Sequence, residues 1–354
     1  MQPHYVKYNA VQNNLYNLEG FTKMLNKIKR GFQSILPKFT IDCIKLIREK
    51  YRLIKNKWST INAGKYLNDN ILKFKSENDL DSIIKNIGKK NKIALVTMAK
   101  DEDYYLQEWI DYHLQLGFDD IFIFQNNWRF KSVVPNKNVH FLVWDEQSKP
   151  KLKGDQPLWE WNRQSICYSI FGRLFHKHYE WALFSDVDAF LTLKKHKNVS
   201  EFIANYDGIK QKQVMVNFAW FGDNGLNEFN KDYTSVVKRF TRRWDKPHNM
   251  SYYQFDPICK LHKNFLHELH YVPGEWIDLN GNVGYGFGKS NRKVSFDIAQ
   301  INHYYTKTLP EWKLKMGKTR AEGDIYINNL DGFKSNNFND VEDLSALNFF
   351  QDNH

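Results

Sequence analysis

The feature that most narrows what this chain can fold into is a rhythm that begins at residue 92. "KIALVTMA" (92–99) is a continuous apolar run of strand length. "KDEDYYLQEWIDYHLQLGF" follows, and in it Leu106, Trp109, Ile110, His113, Leu114 and Gly117 fall on one helical face. "DIFIFQ" (120–125) and "VHFLVW" (139–144) read as the next strands. Residues 157–177 read as a helix, "WALF" (181–184) as a fourth strand and "QVMVNFAWFG" (213–222) as a further one. Alternation of this kind predicts an α/β fold, a mostly parallel, Rossmann-like sheet flanked by helices. Past residue 250 the chain reads as loop-rich until a helix near 309–320.

In an open sheet of this type, ligands bind beyond the carboxyl ends of the strands. Three features fall there: Thr97 to Glu102 after the first strand, Gln125-Asn126-Asn127 after the second, and Asp186 and Asp188 in "WALFSDVDAFL" (181–191). An Asp-x-Asp pair at a strand end offers two hard oxygen donors to one Mg²⁺ or Mn²⁺ ion. A turn is the plainer reading of the tripeptide, and the apolar runs on either side favour the metal.

Composition supplies the limits. Hydrophobic residues make up 42% of 354, enough for a sizeable core. Cys43, Cys167 and Cys259 are too scattered for a disulfide framework or a zinc cluster, and fit a reducing compartment. The polar N-terminus has no apolar secretory core, and no run approaches the roughly 20 apolar residues of a membrane span. The expected location is cytoplasmic, peripheral on the inner face of a membrane.

The net charge is +11, and residues 21–60 carry most of it, with eleven bases against two acids. There Phe21, Met24, Leu25, Ile28, Phe32, Ile35 and Leu36, then Ile44, Ile47, Tyr51, Ile54 and Trp58, recur at helical spacing opposite Lys and Arg. Such helices lie on anionic membrane surfaces, or pack their apolar stripe on a neighbouring domain. The expected organisation is a basic, mostly helical extension (1–90), a catalytic domain (91–330) and a C-terminal tail (331–354).

"LVTMAKDEDYYLQEWIDYHLQLGFDDIFIFQNN" and "YEWALFSDVDAFL" together resemble the GT-A glycosyltransferases of the family 2-like and family 92-like groups. Lys100, Glu102, Glu108, Trp109, Tyr112, His113, Gly117, Asp186, Asp188 and Phe190 occupy the motif positions. "WFGDNG" (220–225), "KRFTRR" (238–243) and "INHYYTKTLPEWKLKMGKTRAEGD" (301–324) resemble later blocks of the same group, so the likeness spans about residues 92–330.

The resemblance implies a GT-A fold and metal-dependent transfer of a sugar from a UDP- or GDP-sugar donor to a glycan or glycolipid acceptor. Asp186 and Asp188 would hold Mn²⁺ or Mg²⁺ and the donor diphosphate, with His303 completing the metal site. Lys307 would meet a phosphate. Thr97, Lys100 and Glu102 would border the nucleotide, with Asn126 on the base or ribose and Arg163 or Gln164 reaching the donor. Trp109 and His113 read as packing. An inverting transfer needs a general base; Asp223, between glycines in "WFGDNG", is the first candidate and Glu275 in "PGEWID" the second. Two departures stand out: amides at 125–127 and Ala189, where related sequences often carry acids. Ala189 leaves open an inactive fold that only binds sugar. A nucleic-acid-binding protein is the alternative of another class; charge confined to one extension disfavours it.

Overall fold

The computed structural model describes residues 75–76, 80–87, 91–125, 133–143, 163–231, 234–245, 255–265, 267, 275–285, 296–316 and 329–351. All of these belong to one unit, Asn70–His354. The basic helices expected over 21–60, with their membrane contact, and Asn126 lie outside the described residues. Among the described residues, no helix is long and apolar enough to cross a membrane.

The strands are β1 (Lys75–Ser76), β2 (Asn91–Ala99), β3 (Asp120–Gln125), β4 (Val139–Val143), β5 (Tyr179–Phe184), β6 (Ala189–Leu193), β7 (Gln213–Trp220), β8 (Arg242–Arg243), β9 (Phe255–Lys260), β10 (Glu275–Asp278), β11 (Val283–Tyr285), β12 (Ala299–His303) and β13 (Val341–Glu342). The helices are α1 (Leu80–Asn86), α2 (Leu106–Gln115), α3 (Arg163–Phe175), α4 (Val199–Ala204), α5 (Val236–Arg239), α6 (Leu309–Lys315), α7 (Leu330–Asn336) and α8 (Ser345–Gln351).

The main sheet has the order β1-β4-β3-β2-β5-β9-β7-β10-β11. β4, β3, β2 and β5 are parallel; β9 runs against both β5 and β7, so β7 and its parallel neighbour β10 point the same way as the first four. This is the expected α/β sheet, with an antiparallel strand inserted that the loop-rich reading of the region past 250 did not contain. β7 then divides its pairing. Residues 213–217 stay in the main sheet beside β9, and residues 218–220 pair with β12, which in turn pairs antiparallel with β6.

The apolar runs explain the burial. Ile93, Leu95, Ile121, Ile123, Trp181 and Leu183 are fully buried and pack with α2 through Leu106, Trp109, Ile110 and Tyr112. Residues of the C-terminal stretch pack back on the sheet. Phe349 and Phe350 meet the Tyr112 ring, Asp343 pairs with Arg243 at 2.7 Å, and Asn339 reaches the loop after β7. At Gly222 a Cβ would stand 2.3 Å from the Phe338 carbonyl oxygen, so the glycine admits this returning segment.

Candidate metal and diphosphate site

β5 ends at Phe184 and β6 begins at Ala189, so Asp186 and Asp188 occupy the tight connection between them, closed by an Ala189 N–H to Asp186 carbonyl bond of 3.0 Å. Two helix residues fix the far side of that turn. The Trp109 indole N–H donates to the Ala189 carbonyl at 2.9 Å. The Leu191 N–H donates to His113 Nε2 at 3.3 Å, which leaves Nδ1–H to donate to the Trp109 carbonyl at 2.8 Å. Burial holds His113 neutral, its pKa lowered to about 3. The packing role expected for Trp109 and His113 is therefore also a positioning one. Ala189 is fully buried, its carbonyl held by the indole, and it pairs with His303 across the strand pair.

His303 ends β12, and pairing with Ala189 and Trp220 brings it from far along the chain to the two aspartates. One ligand atom each from Asp186, Asp188 and His303 lie within 4.8 Å of one another. Two carboxylates and an imidazole at that spacing suit a hard or borderline divalent cation. His303 Nε2 stands 3.4 Å from Asp188 Oδ1. Its ring sits among Phe218, Trp220 and Tyr305, with centroids at 4.7, 4.7 and 5.5 Å. Gln164 Nε2 donates to Asp186 Oδ1 at 2.9 Å, so the helix-start residue expected to reach the donor reaches the acid instead. The Arg163 side chain lies outside the described residues.

Two ammonium groups complete the cluster. Lys307 Nζ is 3.7 Å and Lys315 Nζ 3.1 Å from Asp188 Oδ2. Burial alone would raise the Asp188 carboxyl; Lys315, Lys307 and His303 outweigh it and hold the carboxyl well below the ordinary range. Glu102, three residues past β2, feels the same charges, and its pKa is raised by burial against the pull of Lys315 and Lys307. Lys307 is pushed down to about 8, by burial first and by Lys315 second.

Lys307 is fixed by its neighbours. Its backbone takes φ +53°, a left-handed conformation uncommon for a non-glycine residue. The next residue, Thr308, caps α6 in a reciprocal box with Glu311. Glu311 is buried, accepts both guanidinium nitrogens of Arg239 at 2.9 and 2.8 Å, and accepts the Tyr105 hydroxyl at 2.7 Å. The Lys307 ammonium lies over the Tyr105 ring, 4.6 Å from its centroid. Lys315 was not foreseen. It lies four residues after buried Glu311 and three after buried Trp312, so the same helical face carries it inward.

The remaining expected residues divide. Thr97 is buried near the end of β2, and Lys100 is half-buried in the loop that follows. Among the described residues, Thr97 Oγ1, Gln125 Oε1, Trp220 Nε1, His303 Nδ1 and Lys307 Nζ are buried without a hydrogen-bond partner. They stand near the carboxyl ends of β2, β3, β7 and β12, with Thr97 two residues inside β2. Unmet polar groups are costly in a folded chain; others, such as Trp181 Nε1 and Gln300 Oε1, lie elsewhere among the described residues. Asp223 lies at this end too, next to the Phe221 N–H that donates to the His303 carbonyl at 3.0 Å. Its Oδ1 accepts the Gly225 N–H at 2.8 Å and Asn339 Nδ2 at 3.0 Å, the bonding of a turn aspartate.

Glu275 is not brought to the cluster. Its carbonyl accepts the Lys212 N–H, and the register through Lys260 sets it level with Trp181. That is five residues short of Asp186 and three strands across, about 16 Å along and about 14 Å sideways. Its side chain is exposed at the amino end of β10.

No protein-family model matches the chain. Curated relatives do. A glycosyltransferase family 92 protein of Ricinus communis is 25% identical over 141 residues, 39% of this chain and 24% of that protein. A glycosyltransferase family 92 protein of Oryza sativa subsp. japonica is 23% identical over 221 residues, 61% of this chain and 33% of that protein. The chain is similar to the family 92 glycosyltransferases. These matches span a quarter to a third of the relatives' own length.

Proposed function

We propose that the protein is a GT-A type glycosyltransferase that moves a sugar from a nucleotide-sugar donor to a glycan or glycolipid acceptor. One observation carries the reading: Asp186, Asp188 and His303 converge within 4.8 Å at the carboxyl edge of a largely parallel sheet, with two lysines beside them. The similarity to family 92 proteins supports it. Asp186, Asp188 and His303 would hold Mn²⁺ or Mg²⁺, which when bound neutralises charge on a diphosphate leaving group.

The chain's own residues do the rest. Lys307 is held by its backbone and by Tyr105, and donates to phosphate oxygen from a fixed position. Gln164 orients Asp186, and Trp109 and His113 orient the turn that carries both acids. Trp220 and Tyr305 flank His303 and offer ring faces to a sugar. Transfer with inversion needs a base for the acceptor hydroxyl proton. Position at the carboxyl edge supports Asp223 over Glu275 for that role. Incubation with a panel of UDP- and GDP-sugars and Mn²⁺, with released nucleoside diphosphate measured, tests the reading. Release by the native protein and none by Asp188→Ala is expected. Undiminished release by the variant refutes the assignment.

A further inference from the structure

We propose that Lys315 bars a divalent cation from the Asp186–Asp188–His303 cluster until a diphosphate arrives, so that the two ligands bind cooperatively. The inference rests on the metal and donor reading given above and adds a coupling that the reading does not require. Lys315 Nζ lies 3.1 Å and Lys307 Nζ 3.7 Å from Asp188 Oδ2, while His303 Nε2 faces the other oxygen, Oδ1, at 3.4 Å. Carboxylate oxygens hold Mg²⁺ at about 2.1 Å. An ion sharing the Asp188 carboxylate would therefore stand roughly 4–6 Å from Lys315 Nζ, where a double positive charge and an ammonium repel.

The two lysines differ in their freedom to respond. Lys307 is completely buried, its backbone is in the left-handed region, and the capping box begins at the next residue. Lys315 is the last residue of α6, and its four-carbon stem reaches Asp188 from a position that keeps part of the side chain in solvent. Lys315 is thus the cation that yields. A diphosphate offers it and Lys307 several anionic oxygens in place of one carboxylate oxygen they share. Cation alone must displace Lys315 without compensation, and diphosphate alone must face three carboxylates, Glu102, Asp186 and Asp188. Each ligand removes what opposes the other, which is reciprocal coupling between two binding events.

The test titrates MnCl₂ alone into the native protein and into Lys315→Met, Lys315→Arg, Lys313→Met and Asp188→Asn, following free Mn²⁺ by electron paramagnetic resonance. A second titration adds uridine or guanosine diphosphate at saturating Mn²⁺. Lys315→Met is expected to bind Mn²⁺ alone roughly tenfold more tightly and nucleoside diphosphate roughly tenfold more weakly. Lys315→Arg and Lys313→Met should follow the native protein. Opposite shifts in one variant are not produced by general loosening of the fold. Unchanged or weaker Mn²⁺ binding by Lys315→Met, with binding abolished in Asp188→Asn, overturns the coupling and leaves the metal reading standing. Mn²⁺ binding that Asp188→Asn does not alter overturns the metal reading, and the coupling with it.

Discussion

Glu311→Ala should be among the most damaging single substitutions in the described residues, although Glu311 is no proposed ligand. The carboxylate accepts Arg239 at 2.9 and 2.8 Å, Tyr105 at 2.7 Å, and the Thr308 N–H and hydroxyl at 3.0 and 2.6 Å. Its side chain and that of Arg239 are almost wholly buried. Removing one partner of a buried pair leaves the other charge uncompensated, at a cost of about 3–5 kcal/mol. A second route gives a similar figure. Burial would raise the Glu311 pKa, but hydrogen bonds from Arg239, Thr308 and Tyr105 lower it from the ordinary 4.5 to about 2. That difference corresponds to about 3 kcal/mol at neutral pH. Because the folded value is the lower one, this stability is complete above about pH 4.5 and is lost as pH falls toward 2. Urea denaturation at pH 7 should show a loss of about 3–5 kcal/mol for Glu311→Ala. The double variant Arg239→Met, Glu311→Leu should recover about half, since an apolar pair leaves no stranded charge. A loss under about 1 kcal/mol, or a double variant no more stable than the single one, refutes this account of the cluster.

Two further outcomes follow from the geometry. His113 is lowered by burial from 6.5 to about 3, so the fold binds fewer protons than the unfolded chain between those values, and stability falls as pH drops below about 6.5. His113→Gln should flatten the stability profile between pH 6.5 and 4.5, a window in which Glu311 is silent; an unchanged slope there would count against a neutral buried His113. Glu275→Gln should leave nucleoside diphosphate release within about twofold of native, since the residue sits at the opposite end of its strand, and a large loss would place it back among the catalytic candidates.

The parallel half of the sheet was legible because β3 and the stretches Ile93–Val96 of β2 and Trp181–Phe184 of β5 are buried on both faces and read as apolar runs. The aspartates were legible because such a run ends just before them. β12 was hidden by its own polarity. Gln300 and Asn302 are fully buried; the Gln300 amide N–H donates to Asn302 Oδ1 at 2.6 Å and to Asp343 Oδ2 across the fold at 3.0 Å, and Asn302 donates to the neighbouring Tyr304 hydroxyl at 3.3 Å. Such pairing is invisible until the chain is folded. β9 was hidden by Pro257, a residue that argues against an interior strand. It is tolerated because pairing with β5 covers only Ile258–Lys260, and Pro257 faces β7 beyond that stretch. Beside Asp223, the flanking Gly222, expected from the sequence to admit a ligand, admits the returning C-terminal segment at Phe338. Lys315 was recoverable, since its spacing from Glu311 and Trp312 marks an inward face, but that face was recognisable only once Glu311 was known to be buried.

The placement of β12 also sets an order on how the molecule can be made. It lies between β6 and β7, two strands completed some eighty or more residues earlier in the chain. Until residues 299–303 emerge from the ribosome, β6 and the last turn of β7 present open backbone edges, and the two aspartates stand without their imidazole. Such edges invite pairing with other chains. The nascent protein therefore passes through a period in which the edges beside Asp186 and Asp188 are open, and a pause in translation between residues 220 and 299 should lengthen that exposure.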